Sequence, residues 1–373
     1  MNKKVIALCA TVGVALSTLA YAAPAMAEPV SGSYVVVGSD TLQDALNALA
    51  NGTTISGGSV RTLAGSRTIG SFDATGSTGI QTKSNGARFG RPNGSTDGVK
   101  ALSRSIDGAA FTSATVGGPA GVVITGQVDL ARSSSGPGSS ANATGPLVYV
   151  PFGRDALTYA HTGTATAFDN IDLATLTGIF NCSITTVGGV PVTAVIPQAG
   201  SGTRADWLSK LGLTTAYASA NPACVVVGQE HDTKNLADGS AFPANAITAM
   251  SAAQWVAQNT GAGINRIGTV NPVKVGSPVA GVPATTGTGT ATVPNAAFYA
   301  NSTWGRDTYV VVEYARVEPG NAKYDAALAG LVDSTKGQSL TNAGTFASTA
   351  GAAKKKFGFL APGSTTPIRS NFK

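Results

Sequence analysis

The stretch YVVVGSDTL, residues 34–42, joins a short β-branched strand to a glycine turn and the start of a helix. That helix is predicted over residues 41–50, where leucines recur at helical spacing. The same alternation of strand and helix continues along the chain. Further strands are predicted at residues 122–128, 147–150, 192–196 and 309–317, and further helices at 173–180, 205–211 and 246–258. The pattern predicts an α/β architecture with largely parallel sheets.

The turn after the first strand is the first candidate ligand site. Gly38 permits a tight turn, and Ser39, Asp40 or Thr41 can cap the free amides of the first helical turn. The same amides and hydroxyls favour an anion at the positive end of a helix. A plain helix cap is the alternative interpretation. Asp40 repels an anion unless it accepts a proton from a partly protonated oxyanion.

The segment QAGSGTR, residues 198–204, repeats this arrangement of strand end, glycine-rich turn and helix start. Its glycines let successive amides point into one concavity, where Ser201 and Thr203 add hydroxyl donors. Arg204 adds a planar cation suited to oxyanions. The spacing fits neither a Walker-type loop nor the elbow of a serine hydrolase. The alternative is a capped turn with a surface arginine.

Two further turns carry hydroxyl or cationic side chains. Arg132, Ser133 and Ser134 lie at the end of a predicted strand, where they can form another wall of an anion site. Ser77 and Thr78 lie in a hydroxyl-rich Gly-Ser-Thr-Gly turn. A surface turn without a ligand is the alternative for each of them.

Composition limits the class of protein. The chain has 373 residues, of which 43% are apolar and only 12% charged, so it can bury a core of one large domain or two smaller ones. Its 47 glycines and 6% aromatic residues exclude a coiled coil and disfavour a nucleic-acid partner. The net charge of +6 says little about partners in a chain of this length. Residues 133–145 and 276–295 are expected to be surface insertions without a core role.

The first 27 residues predict a secretory signal peptide. Lys3 and Lys4 precede the apolar run 5–23, and an Ala-x-Ala site ends at Ala27. An N-terminal membrane anchor is the alternative. Cys9 lies within the apolar run, too early for a lipid-modified cysteine at a cleavage site, and no later apolar stretch reaches membrane-spanning length. The mature protein is therefore expected to be secreted without a lipid anchor.

The cysteines and histidines favour a disulfide over a metal site. An exported chain with Cys182 and Cys224 predicts a disulfide between them, and two buried thiols are the alternative. With only His161 and His231 available, a Cys/His zinc site is not expected. The acidic cluster around His231, residues 229–232, is interpreted as a solvated loop.

At these turns the chain resembles the phosphate-binding proteins of bacterial ABC importers, and more closely a secreted, Gly/Ala/Thr-rich actinobacterial branch of them. The matching stretches follow in the same order over most of the mature chain: residues 37–42, 76–80, 128–134, 150–155, 171–181 and 200–204. The resemblance implies a two-lobed, periplasmic-binding-protein-like type II fold with a ligand cleft between lobes joined by crossover strands. It divides the chain into a discontinuous lobe I, residues 28–150 plus 268–373, and lobe II, residues 151–267.

Carried over residue by residue, the resemblance assigns phosphate contacts to three turns. These are Thr41 and Leu42 in the first turn, Ser77 in the second, and Ser201, Gly202 and Thr203 in the third. Two positions depart from the family. Its proton-accepting aspartate falls near Ser133, and its arginine falls near Pro197, so Asp40, Arg132 and Arg204 are the substitutes that the sequence offers.

The sequence thus predicts a secreted, monomeric solute-binding protein that holds an inorganic oxyanion, with phosphate the leading ligand. The mechanism is binding rather than catalysis, no cofactor is expected, and an ABC-transporter permease is the expected protein partner. One alternative is an exported hydrolase that uses Ser201 with His231 and Asp232. The other is a surface structural or adhesive protein on the same scaffold.

Overall fold

The structure is a computed structural model that describes residues 34–55, 58–345 and 349–373. The predicted signal peptide, residues 1–27, lies outside the described residues. Within those ranges, none of the helices combines the length and apolar character that a bilayer-spanning helix needs.

One mixed sheet runs through the described part of the chain and has ten strands. The strands are β1 (Tyr34–Gly38), β2 (Ile69–Ser71), β3 (Leu130–Ser133), β4 (Leu147–His161), β5 (Thr193–Pro197), β6 (Val225–Gly228), β7 (Ala246–Ser251), β8 (Lys274–Gly276), β9 (Gly305–Glu313) and β10 (Ile368–Ser370). The spatial order is β6-β5-β7-β4-β9-β3-β1-β2, and β8 and β10 pair with β4. β1 is parallel to β2 and β3, and β5 is parallel to β6 and β7.

The long strands β4 and β9 connect the two parallel groups. The first part of β4 pairs with β9 and β10, while its last five residues pair with β7 and β8. The β4–β9 register shifts between Pro151 and Gly153, and beyond that irregularity Asp155 lies opposite Arg306. The predicted two-lobed α/β fold with crossover strands is therefore confirmed, with the β1 group in the first lobe and the β5 group in the second.

Helices cover both lobes. They are α1 (Gln43–Asn51), α2 (Ser95–Asp107), α3 (Leu173–Phe180), α4 (Gly202–Lys210), α5 (Ala252–Thr260), α6 (Ala326–Leu331) and α7 (Ala350–Lys356), with four-residue helices at Ala296–Tyr299 and Tyr314–Val317. Single 3-10 turns lie at Gly138–Ser140, Thr166–Phe168 and Gly289–Ala291. Small hairpins pair Thr53–Ile55 with Gly58–Val60, Gly79–Ile80 with Phe89–Gly90, Ala110–Phe111 with Val122–Val123, Thr186–Val187 with Val190–Pro191, and Thr285–Thr286 with Val293–Pro294.

The first-lobe sheet is buried on both faces. Successive side chains of a strand point to opposite faces, so β1 contributes to two separate cores. Tyr34 and Val36 pack with the leucines of α1 and with α6 and α7. Val35 and Val37 pack with α2 on the other face. Burial on both faces explains why β1 reads as a continuous apolar run.

The second lobe has its own core, centred on Trp207 of α4 and on α3, β5 and β7. Ala284, Phe298 and Trp304 also belong to this core. The predicted lobe boundaries remain a prediction, although these three side chains lie in the stretch that the prediction gives to lobe I. Ala284 also corrects the expectation that residues 276–295 have no core role, because its side chain is fully enclosed.

Several element boundaries differ from the sequence-based expectations. Residues 246–258, expected as one helix, are the buried strand β7 followed by α5, because Ser251 caps the helix by accepting a hydrogen bond from Gln254 N. The strand expected at 309–317 ends at Glu313 and continues as a helical turn. In the region 122–128 only Val122–Val123 is a strand, and the strand beside β1 is β3.

The predicted disulfide is confirmed. Cys182, after α3, is bonded to Cys224, before β6, and the bond spans 42 residues. In the chain-entropy view, closing a loop of that length stabilises the fold by about 4 kcal/mol. The bond therefore ties together two elements of the second-lobe core.

Candidate functional site

The carboxyl ends of the parallel strands of both lobes face the same cleft. In open α/β sheets this is the edge at which ligands bind. β1 and β3 deliver the turns after Gly38 and Ser133, while β5, β6 and β7 deliver residues 198–203, 229–232 and Ser251. The contacts between these turns define the candidate site.

Thr41 is the centre of these contacts and is fully buried. Its Oγ1 lies 3.5 Å from Thr203 Oγ1, 3.2 Å from Glu230 Oε1 and 3.1 Å from His231 Nε2. The turn after β1 and the turn after β5 therefore meet, as the sequence predicted. Glu230 and His231 join them from the turn after β6.

The openings of α2 and α4 are in direct contact. Ser201 caps α4 by accepting a hydrogen bond from Arg204 N at 2.9 Å, which leaves its own hydroxyl proton free to donate. Thr96 N donates to Gly200 O at 3.1 Å. A Cβ on Gly202 would lie 2.3 Å from Ser95 Oγ, so only glycine fits there without movement.

Ser134, from the third predicted turn, contacts Ser95, a buried hydroxyl residue that the sequence reasoning did not single out. Their Oγ atoms lie 2.9 Å apart, and Ser134 N donates to Ser95 Oγ at 3.0 Å. Ser134 directly follows β3, whereas Ser95 opens α2. A hydroxyl residue at the start of a helix is the signal that would have identified Ser95.

The acidic cluster around His231 is buried, which corrects its interpretation as a solvated loop. Glu230 and His231 are each 2% exposed. The backbone of His231 has φ of +56°, a left-handed conformation that is uncommon for residues other than glycine. β6 carries this loop to the cleft edge, where Thr41 of the other lobe covers it.

The pKa values of the two carboxyl groups of the cluster, Asp40 and Glu230, shift in opposite directions. Burial, followed by the nearby charge of Glu230, raises the pKa of Asp40 well above its usual value. Burial opposes ionisation of Glu230 as well, but the hydrogen bond and charge of His231, with Asp40 and Ser201, lower its pKa. The two opposite shifts favour the negative charge on Glu230 and the proton on Asp40.

Asp40, Glu230 and His231 offer three ligand atoms that lie within 4.8 Å of one another, a set that could hold a divalent cation. His231 Nδ1, however, faces the N–H of Ser251 at 3.4 Å. Because Nδ1 accepts from that donor, a proton on the ring lies on Nε2, the nitrogen that would have to bind the metal. A metal-binding histidine normally donates its other N–H instead, so the surroundings do not favour a cation here.

Arg306, which the sequence reasoning missed, supplies a buried cation beside the hydroxyl cluster. Its Nε and Nη2 donate to Asp155 Oδ2 at 3.0 and 2.9 Å, and Nη2 also donates to Thr203 Oγ1 at 2.9 Å. Asp155 Oδ1 accepts from Ser251 Oγ at 2.8 Å. Arg306 of the crossover strand β9 thus contacts Thr203 in the first turn of α4. Arg306 reaches Asp155 only because β4 and β9 pair.

The two arginines predicted for the site serve other contacts. Arg132 is fully buried, and its guanidinium donates to the carbonyls of Gly38, Ser39 and Phe72 at 2.9, 2.9 and 2.6 Å. Burial lowers the pKa of Arg132 to about 10. Arg204 donates to Pro197 O at 3.0 Å and to Asn221 Oδ1 at 2.7 Å, and neither partner belongs to the cluster around Thr41.

The remaining predicted residues are divided between the cleft and the surface. Ser39 is buried, and Leu42 is buried in the first-lobe core, so only its backbone can face a ligand. Ser133 Oγ donates to the carbonyl of Ser135 at 2.7 Å. Ser77 and Thr78 are exposed and lie outside the Thr41 cluster, and Ser77 Oγ donates to Gly79 O at 2.9 Å.

No family model matches the chain. No curated protein matches it either. Solved structures do resemble it. An ABC-type phosphate transport receptor from Vibrio cholerae is 16% identical, with 88% of this chain and 100% of the receptor covered and a TM-score of 0.48. A putative phosphate ABC transporter substrate-binding protein with bound phosphate from Clostridium perfringens is 12% identical, with coverage of 81% and 94% and a TM-score of 0.46. The periplasmic phosphate-binding protein PfluDING is 15% identical, with coverage of 88% and 91% and a TM-score of 0.46.

Proposed function

We propose that the chain is a solute-binding protein that closes its two lobes on a small oxyanion, with phosphate the leading ligand. The observation that carries the proposal is the meeting of Thr41 and Thr203 at 3.5 Å. These hydroxyls come from opposite lobes, each follows the carboxyl end of a parallel strand, and both are fully buried. Closure of two lobes around hydroxyl donors shields an anion from water without bond-making chemistry.

The donors suited to an oxyanion converge from several elements. Thr41, Ser201 and Thr203 offer hydroxyl protons, and the openings of α2 and α4 add backbone amides at the positive ends of helices. Arg306 contributes a cation that already contacts Thr203. This combination solvates an anion mainly with fixed dipoles, because the charge of Arg306 is paired with Asp155.

Asp40 favours an oxyanion that carries a proton. Its Oδ1 is buried and has no hydrogen-bond partner among the described residues. The raised pKa of Asp40 favours its neutral form, which weakens the repulsion of an anion, and its Oδ1 can accept a hydrogen bond from a ligand O–H. Phosphate carries such a hydroxyl near neutral pH, whereas sulfate does not. We therefore expect phosphate to bind more tightly than sulfate.

Several parts of this proposal rest on the sequence alone. Secretion rests on the predicted signal peptide of residues 1–27. A permease partner of the ABC type, a monomeric state and the similarity to an actinobacterial branch rest on the sequence resemblance. The same resemblance supports the division of the chain into a lobe of residues 28–150 plus 268–373 and a lobe of residues 151–267.

The geometry does not favour the hydrolase alternative. Asp232 Oδ1 accepts hydrogen bonds from Lys234 N at 2.8 Å and Asn235 N at 3.4 Å, so it caps its own turn. His231 Nδ1 faces Ser251 N rather than a carboxylate. A relay from Ser201 through His231 to Asp232 is therefore not assembled. No observation favours the structural or adhesive alternative.

Titration calorimetry on protein stripped of bound ligand tests the proposal. We expect heat with phosphate, less with sulfate, and a loss of about tenfold or more in phosphate affinity for Thr41→Val, since one hydrogen bond to a charged ligand is lost. Thr78→Val is the matched control, because Thr78 is exposed and lies outside the cluster. Absence of heat with both anions contradicts the proposal, as does an equal effect of the two substitutions.

A further inference from the structure

Glu230 places a carboxylate inside the closed cleft. Its Oε1 accepts hydrogen bonds from Thr41 Oγ1 at 3.2 Å and from His231 Nε2 at 3.1 Å. Its backbone N donates to Gln198 Oε1 at 2.7 Å, which fixes the loop at the end of β5. The side chain thus reaches from the second lobe to a hydroxyl of the first lobe.

The hydroxyls that contact this carboxylate are those assigned above to the oxyanion. Thr41 donates to it directly, and Ser201 lies close enough to lower its pKa. A carboxylate and a phosphate compete for the same kind of donor, because both are oxygen acceptors that carry charge. The Glu230 carboxylate thus occupies a donor, Thr41, that the proposed oxyanion needs.

We propose that Glu230 is a resident anion that holds the lobes closed and must release Thr41 before an external oxyanion can bind. This inference rests on the proposed function, since it concerns the same donors. A ligand binds only to the fraction of molecules whose donors are free, so the apparent affinity is reduced by that fraction. Glu230 therefore sets the concentration of oxyanion at which the site fills.

The surroundings of Glu230 favour its charged form in place. His231 donates to it from the same loop, the raised pKa of the neighbouring Asp40 in the first lobe favours a proton there, and the positive charge of Arg306 acts on it from β9. A buried carboxylate with such partners is stable without a bound ligand. The Glu230 carboxylate therefore lies in the cleft and joins the two lobes through its contact with Thr41.

Glu230→Gln and Glu230→Ala test the inference, with Asp232→Asn as the matched control. Asp232 lies in the same loop and loses the same charge, but it caps only its own turn. We expect phosphate affinity, measured by calorimetry, to increase about tenfold in Glu230→Gln, because one charge-assisted competitor is removed. We expect the stripped Glu230→Ala protein to be more open in X-ray scattering than the wild type. Asp232→Asn should change neither quantity.

The outcomes separate this inference from the proposed function. Weaker or unchanged phosphate binding by Glu230→Gln, or a stripped Glu230→Ala protein as closed as the wild type, overturns the inference. If no variant binds phosphate or sulfate but removal of Glu230 opens the cleft, the proposed function fails. The inference that Glu230 holds the lobes closed then still stands. If Glu230→Ala does not fold, the scattering comparison is made with Glu230→Gln, for which a closed stripped protein again overturns the inference.

Discussion

Replacing Gly202 with alanine should weaken oxyanion binding without weakening the fold of the second lobe. A Cβ at this position would lie 2.3 Å from Ser95 Oγ and 2.6 Å from Ser134 Oγ, both on the first lobe. Within α4 itself the change is tolerated, because Gly202 is the first residue of the helix and its backbone lies outside the left-handed region that favours glycine. The added methyl group therefore acts as a wedge between the lobes.

The expected magnitude follows from overpacking. Forcing an extra methyl group into a close contact costs about 1–3 kcal/mol, and here that cost applies only when the lobes close. The affinity for phosphate should then fall in calorimetry by up to about 150-fold, and by less to the extent that Glu230 already holds the ligand-free protein closed. Thermal unfolding should show no loss of stability beyond the loss of that closed contact.

Gly330→Ala is the matched control for Gly202→Ala. Gly330 lies within α6, and its added Cβ would meet only the flexible end of Lys336. This variant should bind phosphate as the wild type does. If Gly202→Ala also binds phosphate with wild-type affinity, the bound form does not bring α2 and α4 into contact, and the reasoning for the closed site is refuted.

Two further predictions concern stability. Burial lowers the pKa of Lys354 to about 7, and its Nζ donates only to carbonyls, those of Phe152 and Leu340. Because this pKa lies below the unfolded value, the fold gains stability as pH rises through 7 towards 10.5, by about 2–3 kcal/mol between pH 6 and pH 9. Urea unfolding should show that gain in the wild type and not in Lys354→Met, and an identical pH profile in both would contradict it. Cys182→Ala with Cys224→Ala should reduce the free energy of unfolding by about 2–4 kcal/mol, and an unchanged urea midpoint would show that the disulfide adds no stability.

The local parts of the site were predictable from sequence, because their signals lie within a few residues. The strand, glycine turn and helix start around Gly38 and around Gly200 each lie in consecutive residues. The contact between Thr41 and Thr203 agrees with the expectation that the two turns face one pocket. The pairing of Cys182 with Cys224 needed only the two cysteines that follow the predicted signal peptide and an expected oxidising compartment.

The parts that failed depend on contacts between distant residues. Glu230 looked solvated because its partner Thr41 lies 189 positions earlier in the chain. Arg306 becomes part of the site only when β4 and β9 align. No residue in the apolar run 246–258 distinguishes a buried strand from a helix. The first part of the run is a strand because it pairs between β5 and β4.

The irregularity between Pro151 and Gly153 bears on how each lobe takes part in ligand binding. Bulges concentrate the bending of a strand, and this one lies on the first-lobe side of the Asp155–Arg306 pair. If the lobes open by bending at this point, Asp155 and Arg306 would move with the second lobe, and Arg306 would keep its hydrogen bond to Thr203. An entering ligand would then meet a second-lobe wall that is already assembled, and Thr41 would complete the site when the lobes close.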